Sequence, residues 1–173
     1  MDRSALEELF AYTEFSWSRH ARVMEGLTSE QFRAAVGTSG WPSLHQAFFH
    51  ATGAYDFWLN HAGALGLGDM AHPGDEGFAT WAEMAAYREL TRRAFRTALD
   101  VDDAELYRKR AFDFGEGPES LSRADVLANL VIHERGHHGD ISTLLYQLGI
   151  KAPVVDYRYF LSFPERFVVD EGE

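Results

Sequence analysis

SRADVLANLVIHERGHHGDISTLLYQLG, residues 122–149, is the stretch that decides the fold. Ser122 with Asp125 three residues on has the form of a capping box. From there Val126, Leu130, His133, His137, Ile141, Leu144 and Leu148 recur at three-to-four spacing, the period of one face of an α-helix. Gly149 stands where a helix favours glycine at its C-terminal end. The stretch therefore reads as one long helix that carries two histidines a turn apart on its apolar side.

Outward from it, the same signals recur three times. Ser4 with Glu7 opens a helix with Leu6, Leu9, Phe10, Thr13, Trp17, Ala21 and Met24 inward, ending near Gly26. Ser43 with Gln46 opens a second, to about Ala64, carrying Leu44, Ala47, Phe48, Ala51, Tyr55, Trp58 and Leu59. Thr80 with Glu83 opens a third, to about Asp100, with Met84, Tyr87, Thr91, Ala94, Phe95 and Ala98 inward. Residues 28–36 read as a helical turn or two within a connection. The glycine-rich run from Gly63 to Gly77 reads as a loop crossing the end of a bundle. Residues 101–120, with Tyr107, Phe112 and Phe114, are expected to extend or to form a small ribbon. Tyr157, Tyr159, Phe160, Phe163 and Phe167 form an aromatic tail that packs on the bundle or on a second subunit. The expected fold is all-α, a four-helix bundle with long connections, as a single domain over residues 1–173.

Composition narrows the functions open to such a bundle. The chain has no cysteine, so a metal site can use only histidine or carboxylate, and thiol chemistry needs a thiol supplied from outside. A net charge of −11 argues against nucleic acid and anionic membrane as partners. The start at Met1, Asp2, Arg3, Ser4 has no signal-peptide pattern, so the expected location is the cytoplasm.

His133 and His137 project from one helix face, a separation that suits two ligands of one ion. Eight histidines in 173 residues give roughly 0.4 such pairs by chance, so context must decide. Two buried neutral imidazoles each need a partner for both ring nitrogens; core hydroxyls could supply them, and a metal removes the cost outright. On the second helix, the row Ala47, His50, Ala54 has small neighbours that leave room for an ion, which makes His50 the third candidate ligand. His45 and His61 lie near helix ends and His20, His72 and His138 read as surface residues, all satisfied by water. His133 to His137 also spell HExxH, but no strand precedes the motif and the next glutamate is Glu165 in the tail, which disfavours a zinc peptidase. Glu134 is then a proton acceptor at the site or a solvated helix residue.

The segments LHQAFFHATGAYDFWL (44–59) and IHERGHHGDISTLLYQL (132–148) resemble the two signature blocks of the DinB-like family, the DinB/YfiT-like metalloenzymes. With the helix order and the tail, the resemblance covers nearly the whole chain. It implies a four-helix bundle, often a homodimer, with one histidine of the second helix and two of the fourth around nickel, zinc or another divalent ion. Position by position that triad falls on His50, His133 and His137. Where the family often has arginine, glycine and glutamine after the last ligand, this chain has His138, Gly139 and Asp140.

Three histidines leave a coordination position open, the pattern of a catalytic metal site. One divalent ion per chain is expected, zinc or nickel first and manganese or iron next. The expected reaction is activation of a low-molecular-weight thiol or a water against an electrophilic small molecule, with Glu134 as the candidate proton acceptor. The resemblance includes thiol-dependent transferases and a mycothiol-dependent isomerase. A metal-dependent hydrolase and a non-catalytic metal-binding stress protein are the alternatives.

Overall fold

Ser43, Thr80 and Ser122 each stand one residue ahead of a long helix in the computed structural model, and each hydroxyl accepts the backbone N–H three residues on, from Gln46, Glu83 and Asp125. At Thr80 and Ser122 the acidic side chain reaches back to the cap, so both reciprocal bonds of a capping box form. The structure describes residues 1–36, 40–62, 77–113 and 117–163. Most of the expected crossing loop, together with His72, Phe114, Phe167 and the side chain of His61, lies outside them.

The long helices are α1 (Arg3–Met24), α3 (Leu44–Asp56), α4 (Trp81–Leu99) and α6 (Arg123–Gln147); the short ones are α2 (Ser29–Arg33), α5 (Asp103–Leu106) and α7 (Tyr157–Leu161). They form the expected four-helix bundle. α6 packs against α1, α3 and α4, and α3 packs against α4. α1 closes on α4 through Phe10 stacked on Phe95, with ring centroids 4.1 Å apart. The small ribbon is β1 (Arg110–Asp113) antiparallel to β2 (Pro118–Leu121), with Arg110 opposite Leu121. α6 ends at Gly149, whose φ of +74° lets Ile150 N–H reach back to the Leu145 carbonyl. No helix among the described residues is long and apolar enough to cross a membrane.

Two details differ from the sequence reading. α1 starts on Asp2 rather than Ser4, because the Asp2 carboxylate already accepts Ala5 N–H and takes Ser4 into the first turn. The second long helix leaves α geometry after Asp56 and continues to Ala62 as a π-helix. The wider winding begins where two consecutive side chains turn inward, Tyr55 to Glu134 and Asp56 to Tyr87. The described part of the tail packs on the bundle: Tyr157 and Phe160 lie on Tyr12, and Phe160 and Phe163 on Phe15, burying Phe160 completely.

The apolar interior is in two parts. One gathers Leu6, Phe95, Leu106, Leu127 and Leu130, the other Met24, Phe32, Phe48, Met84 and Ile141. A buried polar group crosses the bundle as well. Arg88 of α4 is 2% exposed, and its Nη2 donates to Glu14 of α1 and, at 3.2 Å, to Glu134 of α6. Glu134 also accepts the Tyr55 hydroxyl of α3. A lone buried charge costs several kcal/mol, so these groups are tolerable only as a set, and the set links all four long helices.

Candidate metal centre

α3 brings His50 to α6 opposite His133 and His137. The ring centroids stand 5.0 Å (His50–His133), 4.8 Å (His50–His137) and 4.5 Å (His133–His137) apart. One ring nitrogen from each lies within 4.8 Å of the other two, and this is the one such group of three among the described residues that could hold a metal ion. The three residues singled out from the sequence are thus brought together.

Two further observations fit a cation there. His133 Nε2 is buried and has no hydrogen-bond partner, which a metal bond would satisfy. His137 Nδ1 lies 2.9 Å from Asp140 Oδ2, which fixes the ring and leaves Nε2 as the ligating nitrogen. Burial, reinforced by the neighbouring rings of His137 and His50, pulls the His133 pKa down to about 4; burial and His137 also lower that of His50. These two rings are neutral at pH 7, the form that binds a metal.

The site is open on one side. His50 is exposed while His133 and His137 are half-buried. The indole of Trp41 walls one flank, with its centroid 4.5 Å from His50 and 5.3 Å from His137. The sequence reading named Asp140 only as a departure from the family pattern and did not reach Trp41. The signal for Asp140 was available: it follows His137 by three residues on a helix, one turn away on the same face.

His138, and Glu134 in its solvated reading, depart from expectation. Neither is solvated, each being 1% exposed. α6 is flanked by three helices, so its buried surface is broader than one stripe, and Glu134, His138 and Ile141 occupy the inner face while His133 and His137 lie toward the edge. Burial by itself pushes the Glu134 carboxyl up, but Arg88 and His138 overcome it and hold the pKa at about 2. His138 Nδ1 accepts from Arg135 at 2.9 Å, and its Nε2 faces Glu134 Oε1 at 3.5 Å, too long for a good hydrogen bond.

His20 is also buried rather than at the surface. Its Nδ1 donates to the Ser16 carbonyl, and its ring stacks on His138 at 5.1 Å. His45 is 5% exposed, covered by Phe32 and Phe49.

No curated protein matches the chain. A family model does match, and its helical fold accords with the bundle described above. The chain belongs to the DinB family, whose model covers residues 1–166 of its 173.

Proposed function

We propose that the protein is a divalent-metal-dependent enzyme that activates a small thiol for attack on an electrophilic small molecule at His50, His133 and His137. The observation that carries this reading is three convergent imidazoles with one side, at His50, open to the surface. A divalent ion held there, zinc or nickel being among those that imidazole suits, would supply Lewis acidity that favours the thiolate over the thiol.

The chain's own residues do the rest. Asp140 holds the His137 ring in one orientation. Trp41 gives one flank of the site an apolar wall against which the carbon skeleton of a substrate can lie. With no cysteine in the chain, the nucleophilic sulfur comes from a cosubstrate. Glu134 is engaged by Arg88 and Tyr55 and is a weak base at a pKa of about 2, so in this reading it is a positioning residue for α6 and the thiol proton leaves to solvent.

The test supplies a reactive electrophile with bacillithiol, mycothiol or glutathione in parallel to metal-loaded wild type, metal-stripped wild type and His137→Ala. Conjugation with one of the thiols that requires both metal and His137 is the expected result. Ester or amide cleavage indifferent to thiol would make the protein a hydrolase that activates water at the same site. No metal-dependent turnover across the panel would leave a metal-binding protein without this chemistry.

A further inference from the structure

Away from the three histidines, α1 and α4 part to leave a cavity of about 550 Å³, the size of a small organic ligand. Phe10, Phe15, Trp17 and Phe163 give it an apolar wall. The rest is dominated by arginine. Arg88, Arg92 and Arg96 recur every four residues on α4, and Arg19 and Arg22 join them from α1. Like charges at that helical spacing repel each other. Five arginines against Glu7, Glu14 and Glu89 leave the lining two charges positive in a chain whose net charge is −11.

The internal ion pairs do not use up these cations. Glu14 and Glu89 engage Arg88 and Arg92. Arg19 lies over the rings of Phe15, Tyr159 and Phe163 with its buried Nε unpartnered, and Arg96 is half-buried beside Arg92. Arg88, 2% exposed between the rings of Trp17 and Tyr55, adds its charge to the wall without presenting its N–H groups to the cavity, whereas Arg19 is only half-buried. A positive, aromatic-walled cavity with such a guanidinium in its lining is a receptor for an anion.

We propose that this cavity binds a small amphiphilic anion, a carboxylate or phosphate head on an apolar body, with the head at Arg19 and the body against Phe15, Trp17 and Phe163. The site is separate from the histidine centre and stands whether or not that centre is catalytic. A space sunk between two helices admits a ligand of this size.

Calorimetric titration of the metal-loaded protein with octanoate, octyl phosphate, octanamide and inorganic phosphate tests it. One octyl anion is expected to bind one per chain, with the better of the two naming the head group. Octanamide and inorganic phosphate are expected to bind at least about tenfold more weakly, since each lacks one half of the recognition. Arg19→Gln is expected to weaken the octyl anion by about tenfold while metal content and circular dichroism stay unchanged. Equal binding of octanamide, unchanged affinity in Arg19→Gln, or no binding of either octyl anion overturns the proposal. So does a dimer in light scattering that the same variant dissociates, which would assign the groove to a second copy of the chain.

Discussion

Asp140 Oδ2 lies 2.9 Å from Nδ1 of His137, one turn back along α6, so a carboxylate backs one of the three convergent imidazoles. Such a partner orients a ligating ring and raises its basicity, and its loss typically costs 10–100-fold in metal affinity, a range of roughly that order being expected here. Asp140→Ala should therefore release zinc or nickel to a competing chelator at about tenfold lower chelator concentration than wild type, with Asp140→Asn in between because it still accepts a hydrogen bond. Equal retention in Asp140→Ala would reduce the contact to a surface ion pair.

Elemental analysis separates the edge of α6 from its inner face. His50→Ala, His133→Ala and His137→Ala should each lose most of the bound ion. His138→Ala should keep it, yet unfold at lower temperature, because it strips Arg135 of an acceptor and removes a buried ring stacked on His20. The cost is about 1–3 kcal/mol, that of unsatisfied buried polar groups. Metal loss in His138→Ala with retention in His50→Ala would place the ion on the wrong side of α6.

Arg88 compensates two carboxylates from two different helices. Arg88→Met leaves Glu134 buried opposite an apolar chain and should destabilise the fold by about 3–5 kcal/mol in urea unfolding, as expected when one partner of a buried pair is removed. The Arg88→Met/Glu134→Gln double variant should recover part of this, since the stranded charge is gone. Additive losses in the double variant would show that Arg88 acts through packing alone.

The helices and the histidine triad were legible in the sequence because both are local or nearly local. Capping pairs three residues apart mark three of the four long helices, and His133 with His137 needs only helical geometry to converge. His50 required one tertiary guess, supported by small neighbours on its row. The buried polar set was not legible. Arg88, Glu134 and His138 occupy core positions, Arg88 one turn from both Met84 and Thr91, but read singly each belongs in water. Only when four helices bring Glu14, Tyr55, Arg88 and Glu134 together does burial become affordable, and no spacing within one helix announces that. His20 was misplaced for the same reason: the Ser16 carbonyl that satisfies it is local, but the ring that covers it comes from α6.

Acid should unfold the metal-stripped protein through its buried rings. Burial, with His138 alongside, pulls the His20 pKa from 6.5 to about 3, and His133 falls to about 4. Between pH 6.5 and these values the unfolded chain binds protons that the folded chain refuses, so stability is greatest above pH 6.5 and declines as the pH is lowered. Glu134 adds to the decline below pH 4.5, because its folded pKa is about 2 and protonation is again easier in the unfolded chain. Glu14 opposes it, since burial raises its pKa and protonation then favours the fold. His20 alone accounts for about 3 kcal/mol by pH 4, from 1.36 kcal/mol per pKa unit. Urea unfolding at intervals from pH 7 to pH 4 measures the slope, and His20→Gln, whatever its stability at pH 7, should flatten it over that window. An unchanged slope in the variant would mean that His20 takes up its proton inside the fold.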